Sequence, residues 1–228
     1  MRREAHPYSY PPAIWTSLMA KTSRTKPVKR QSSLRQAQRE LTRNRIREAA
    51  KKVFSDYHYT SATIDQIASE ADLSRATLYI HYKDKEEILG DIIKDYAPRA
   101  KEVLAALPGP KPSFDDVVKW IEQVSAFAEN ELIQLTIIED VRHVFPQGMD
   151  ELAADLTLAM GENNPIFRKA ASDKASPELR AKAMLLLQEL TYTSRWLCEV
   201  KDREMSEAMV RLTARAFTDF LQNPDAWE

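Results

Sequence analysis

Residues 63–85 read TIDQIASEADLSRATLYIHYKDK. Thr63 stands three places before Gln66, the spacing of a capping box, in which a hydroxyl and a side-chain amide satisfy the free amides at a helix start. A short helix over about Ile64 to Ala71 follows, with Ile64, Ile67, Ala68 and Ala71 on its buried side. The pattern breaks at Asp72-Leu73, Ser74 supplies a second cap, and another short helix runs through Tyr79 to Tyr82. Two helices of this size joined by a three-residue turn read as a helix-turn-helix.

Upstream, Leu41, Ile46, Ala49, Ala50, Val53, Phe54 and Tyr57 keep one apolar face of a helix whose remainder is basic, with Arg39, Arg43, Arg45, Arg47, Lys51 and Lys52. Before it, residues 1–33 carry Pro7, Pro11, Pro12 and Pro27 among Ser, Thr, Lys and Arg without periodicity, and read as a disordered basic arm. Met19 offers an alternative natural start. Downstream, a longer helix begins at Asp84 with Ile88, Leu89, Ile92, Ile93 and Tyr96 at core spacing, and with Pro98 placed to kink it or be accommodated. After the stop at 107–112, helices are predicted at about Phe114–Glu129, Glu131–Val144, Met149–Met160, Pro177–Lys201 and Glu204–Leu221. The expected organisation is therefore all-α: a disordered arm over 1–33, a three-helix domain with the helix-turn-helix over 34–84, and a larger helical domain over 85–228.

Composition narrows the function. Only four of the 228 residues are Gly (Gly90, Gly109, Gly148, Gly161), so neither a dinucleotide fingerprint nor a phosphate-binding loop can be assembled. The chain has no Asn-Gly or Asp-Gly pair, which argues against hairpin-rich β folds. A lone Cys198 forbids an internal disulfide, and four scattered His give no metal spacing, so neither metal nor cofactor is expected. No uninterrupted apolar run exceeds five residues, as at Ala183–Leu187, so no membrane partner is expected and the cytoplasm is the default location. Charge is uneven: residues 1–52 hold 14 Lys/Arg against 3 Asp/Glu, whereas residues 86–228 hold 16 against 26. The basic end is suited to a polyanion.

The motif from Thr42 through Lys85 resembles the DNA-binding domain of the tetracycline-repressor (TetR) family over about residues 41–89. The positions carrying the likeness include Ile46, Ala49, Ala50, Val53, Phe54, Thr63, Ile67, Ala68, Leu78, Tyr79, His81, Tyr82 and Lys85. In physical terms, Ile67 and Leu78 would pack the two short helices against Phe54 and aim the second into a major groove. Arg75 and Thr77 open that helix, where a guanidinium meets guanine and a threonine methyl meets thymine. Thr63, Ser74, Tyr79 and His81 offer donors to phosphate, Lys85 adds charge at the next helix start, and Arg39 and Arg43 extend the phosphate contact. Tyr79 and His81 are open to a second reading as packed structural residues. The resemblance implies that Thr63, Arg75, Thr77, Tyr79, His81 and Lys85 face DNA. It also exposes three places usually held by Gly, here His58, Asp72 and Ala76; positive φ is predicted at the first two.

For the larger domain, Leu186, Leu190 and Leu197 on the penultimate helix, and Leu212, Phe217 and Phe220 on the last, are expected at a homodimer interface, half of an intersubunit four-helix bundle as the resemblance also implies. The alternative is that they close the monomer core. Trp120, Phe127, Arg142, His143, Tyr192 and Trp196 have the composition of a small-molecule effector site, and equally that of a plain helical core. The leading reading is a homodimeric repressor of a palindromic double-stranded DNA operator, released by a small-molecule effector. An effector-independent DNA binder or activator is the main rival; a helical enzyme using Glu139, Asp140, Arg142 and His143 is a remote one. A cavity of several hundred Å3 would favour the effector-responsive reading.

Overall fold

The computed structural model describes residues 30–223 and Ala226, with side chains described from Leu34 onward. Among the described residues there are ten α-helices and no strand: α1 (Arg30–Ser61), α2 (Ile64–Glu70), α3 (Arg75–His81), α4 (Lys85–Ala105), α5 (Phe114–Asn130), α6 (Leu132–Val141), α7 (Pro146–Met160), α8 (Pro165–Ala170), α9 (Pro177–Glu199) and α10 (Arg203–Gln222). The all-α expectation holds. No described helix is long and apolar enough to cross a membrane.

The expected disordered arm lies, through residue 29, outside the described residues. Residues 30–33 already belong to α1, which starts well ahead of Leu41. Residues 30–40 contain neither Pro nor Gly and are rich in the good helix formers Gln and Arg, so helix propensity carries the start upstream of the apolar pattern.

The chain forms two compact units. The first takes residues 30–50 with Thr63–Lys94, the second Lys51–Ala62 with residues 95–223. The first unit packs Ile46, Ala50, Ile67, Leu78, Tyr82, Ile88 and Leu89 into a core with almost no water access. Both predicted caps are in place. Thr63 Oγ1 accepts from Gln66 N at 3.2 Å while Gln66 Oε1 accepts from Thr63 N at 2.8 Å, and Ser74 Oγ accepts from Thr77 N at 3.0 Å. At the end of α2, Leu73 N donates to Ala68 O and Asp72 N to Ser69 O, the paired bonds of a Schellman turn.

That turn requires positive φ at Asp72, and it has 49°. His58 also has positive φ, at 60°, but with ψ 149°, so it lies not in the left-handed helical well but at the edge of the region essentially reserved for Gly. Ala76, the third position usually held by Gly, is an ordinary helical residue within α3. The two strained positions therefore differ in what a Gly would do. His58→Gly is expected to raise stability by about 1 kcal/mol, the relief of strain exceeding the added freedom of the unfolded chain. Asp72→Gly is expected to be nearly neutral, because Asp tolerates this well and holds Arg45 Nη2 at 2.9 Å. Urea denaturation of the two variants checks the ordering; equal effects would remove the conformational explanation.

In the second unit α5 packs against α9 and α10. Trp120 of α5 meets Phe217 of α10 edge-on with ring centroids 5.2 Å apart, and Phe167 of α8 meets Phe220 at 5.1 Å. The predicted dimer residues need correcting here. Leu186, Leu190, Phe217 and Phe220 are at most 1% exposed within the single chain, so they close its own core and leave no surface for a partner. Leu197 is half-buried and Leu212 is 61% exposed. Phe54, expected behind the two short helices, is buried and meets Tyr59 edge-on at 5.1 Å.

Two prolines are placed by local rules, and one of them moves a helix boundary. The helix predicted from Met149 starts instead at Pro146, which opens α7 at its first turn, where a missing N–H is harmless. Pro98 is accommodated inside α4. The short helix α8 was not predicted. It is held by a close approach: a Cβ on Gly161 would lie 2.7 Å from Arg168 N, and the Arg168 guanidinium donates back to Gly161 O at 2.9 and 3.1 Å.

Candidate nucleic-acid interface and ligand pocket

Helix α3 presents its N-terminal turn to solvent. Leu78 anchors it inward, and its spacing leaves Arg75, Ala76, Tyr79 and Ile80 outward. The Arg75 guanidinium is extended over this surface: Nη1 donates to Asp65 Oδ2 at 3.1 Å, Nη2 to the Tyr79 hydroxyl at 3.4 Å, and the group lies 5.6 Å from the Tyr79 ring centroid. The Tyr79 hydroxyl, then the Asp65 charge, push the Arg75 pKa up, so its positive charge is permanent. Thr77 is half-buried, its hydroxyl 2.7 Å from Ser74 Oγ. Ser74 and Thr63 are exposed caps, so each hydroxyl already has a main-chain partner.

The remaining predicted contacts divide. Tyr79 is exposed, so it is not a packed core residue. His81 is half-buried with Nδ1 buried and unpartnered; burial first, then the charges of Arg39 and Arg43, lower its pKa, so a neutral imidazole stands there at pH 7. Lys85, at the first residue of α4, is half-buried, and burial lowers its pKa. Arg43, expected at phosphate, is engaged inside the fold. Its Nη1 donates to His81 O at 2.8 Å, its Nη2 to Asp91 Oδ2 at 3.0 Å, and its guanidinium stacks 4.1 Å over the Tyr82 ring. Arg43 thus ties α1 to α3 and α4 and is not available to phosphate.

Asp91 of α4 is the centre of that tie. Besides Arg43 it accepts from Arg47 Nη1 at 3.1 Å and from the Tyr82 hydroxyl at 2.7 Å. Burial pulls the carboxyl pKa upward, but the Tyr82 hydroxyl, the Arg43 charge and the Arg47 and Arg43 hydrogen bonds outweigh it and hold it below the usual range. Sequence reasoning missed two surface residues. Ile80, 69% exposed on α3, is an apolar side chain on the helix's solvent face, readable from its offset to the Leu78–Tyr82 core pair. Asp65 gave no sequence signal, because its partner lies ten residues away across the turn.

The second unit holds an open cavity of about 590 Å3 walled by α6, α7 and α9, with Tyr96 of α4. Leu135, Ile138, Met149, Leu152, Leu156, Met184 and Leu187 make its apolar wall; Arg142, Gln188, Arg195, Glu139 and Glu199 its polar part. Arg195 Nη1 pairs with Glu139 and Nε with Glu199 at 2.8 Å. Of the predicted effector residues, Arg142, Tyr192 and Trp196 line this cavity, and Phe127 lines an adjoining void of about 40 Å3. Trp120 lies elsewhere: fully buried, its indole N–H donates to Val103 O at 3.1 Å. His143 is exposed beyond the end of α6 and outside the cavity lining. The imagined catalytic cluster is dispersed as well, since Glu139 belongs to Arg195 while Asp140 accepts from Tyr59 N at 2.6 Å and lies 3.3 Å from His58 Nδ1.

Comparison with known proteins agrees with this geometry. Residues 46–92 match the family model described as bacterial regulatory proteins, tetR family. The chain is 24% identical over 151 residues to an uncharacterized HTH-type transcriptional regulator, YhgD, of Bacillus subtilis, covering 62% of this chain and 78% of that protein. It is 27% identical over 141 residues to the HTH-type transcriptional repressor SCO4008 of Streptomyces coelicolor, covering 61% of this chain and 66% of that one. A solved structure of a TetR-like transcriptional regulator from Rhodococcus sp. RHA1 superposes with TM-score 0.58 at 18% identity, over 82% of this chain and 97% of that chain, which establishes a shared fold.

Proposed function

The chain belongs to the tetR family of transcriptional regulators, and from that premise we propose that it is a homodimeric repressor that binds a palindromic operator and is released from it by a small-molecule effector. The observation that carries the effector is the cavity of about 590 Å3, within the range of ligand pockets, with apolar walls and a few charged groups. A constitutive DNA binder has no use for such a space. A single helix-turn-helix reads only a few base pairs, so operator specificity calls for a second copy. With the core positions of α9 and α10 already enclosed, Leu185, Leu212 and Met205 remain exposed on these helices and are the apolar groups offered to that copy. The name of the Streptomyces relative favours repression over activation.

Release needs an effector that binds the DNA-free state more tightly than the DNA-bound one; equal affinity would switch nothing. The test is a selection of bound duplexes by the full chain, followed by anisotropy titrations of the best sequence with candidate ligands. Arg75→Ala is expected to weaken operator binding by about 1–3 kcal/mol and relax preference at one base position. Ala153→Trp, which fills the cavity from α7, is expected to keep DNA affinity and lose ligand release. Release that survives in the filled variant, or binding to a single half-site by a monomer, would overturn the proposal.

A further inference from the structure

Between Thr63 and Tyr82 the sequence has a single Lys or Arg, Arg75, against three acids, Asp65, Glu70 and Asp72. A surface that meets phosphates is an unfavourable place for a carboxylate, and Asp65 has no capping duty there: the cap of α2 is made by Thr63 and Gln66. Asp65 and Arg75 are both well exposed, so their ion pair adds little to folding. What the pair does is fix a long, flexible side chain. Asp65 takes one N–H of Nη1 at 3.1 Å and the Tyr79 hydroxyl one of Nη2 at 3.4 Å. A guanidinium has five N–H donors in a rigid fork, so one N–H on each terminal nitrogen and that on Nε stay open.

We infer that Asp65 is a positioning residue for base recognition, orienting the Arg75 fork toward a base edge and holding it back from phosphate. The inference rests on the reading of Arg75 as a base contact. A guanidinium ordered before binding loses less freedom on meeting guanine. On a wrong base pair the carboxylate retains it, and the alternative of a sequence-blind phosphate contact is disfavoured.

The full chain, its Asp65→Asn, Asp65→Glu and Arg75→Ala variants, the selected operator, its single-base-pair variants and an unrelated duplex make the test, at one fixed salt concentration. Asp65→Asn is expected to bind the unrelated duplex severalfold more tightly and to lose about tenfold in selectivity at the one pair where Arg75→Ala also loses it, with an unchanged melting temperature. Asp65→Glu, which keeps the charge but displaces the carboxylate, is expected to keep the weak binding to unrelated DNA and lose part of the selectivity. If Asp65→Asn and Asp65→Glu change all duplexes by a common factor while Arg75→Ala still acts at one pair, Asp65 is only an electrostatic brake and the inference falls alone. If Arg75→Ala weakens all duplexes equally, Arg75 is a phosphate contact and the reading beneath the inference falls with it.

Discussion

Asp91→Ala is expected to destabilise the protein by about 3 kcal/mol, because one truncation removes the acceptor that three donors share. Arg43, Arg47 and the Tyr82 hydroxyl all reach the same Oδ2, at 3.0, 3.1 and 2.7 Å, and none of the charged side chains in the node is more than about a fifth exposed. Arg43 is stacked on Tyr82 and cannot retreat to water without uncovering the ring. Asp91→Asn keeps an acceptor but removes the charge, and should fall between the two. The pH dependence has a definite sign. The folded-state pKa is depressed, so the contribution of Asp91 is fully present above the ordinary carboxylate value of about 4 and fades as pH falls through the lower folded value. Urea unfolding of wild type and Asp91→Ala across pH 7 to 3 measures it. A difference that shrinks already between pH 7 and 5 would contradict the depressed value.

Trp120→Ala is expected to cost about 3–5 kcal/mol, the range for deleting a fully buried large aromatic. It also strands the Val103 carbonyl that the indole satisfies and removes the edge-on contact with Phe217. Trp120→Phe keeps most of the packing and should cost less, about 1–2 kcal/mol, chiefly for the unpaired carbonyl. Because Trp120 is outside the cavity lining, effector response in Trp120→Phe is expected to match wild type, whereas Trp196→Phe, at the cavity wall, should shift it. Calorimetry and a ligand titration on the same preparations separate these outcomes. Loss of effector affinity in Trp120→Phe at unchanged stability would return Trp120 to the binding site.

Features set by neighbours along the chain are legible in the amino-acid sequence itself. The Thr63–Gln66 box, the Ser74 cap and positive φ at His58 and Asp72 are decided within a few residues, and all are present. The destination of an apolar or charged face is not legible in that way. The periodicity of α9 and α10 identifies Leu186, Leu190, Phe217 and Phe220 as buried, but whether they are buried by their own chain depends on how many helices arrive there. Besides α5 and α7, both predicted, α8 arrives there, a six-residue segment between Asn164 and Ala171 too short to leave a periodic signal. Arg43 is one arginine among many at the basic end, and only the position of Asp91 across the fold sets it apart. Among the large residues proposed for an effector, Tyr192 and Trp196 share a helix face toward the cavity while Trp120 faces Phe217, a difference of direction that composition does not carry.

Pro98 gives α4 a mechanical property as well as a shape. Having no N–H, it leaves the carbonyl of Lys94 without its rung, and Lys94 is the last residue of the first unit while α4 continues to Ala105 in the second. A helix resists bending through the unbroken series of these rungs. With one absent, α4 is a rod of uneven stiffness, most compliant between Lys94 and Pro98, a stretch that includes Tyr96 of the cavity wall and begins three residues beyond the Asp91 anchor. The elastic weak point of a helix common to both units is therefore written into the chain by a single imino acid.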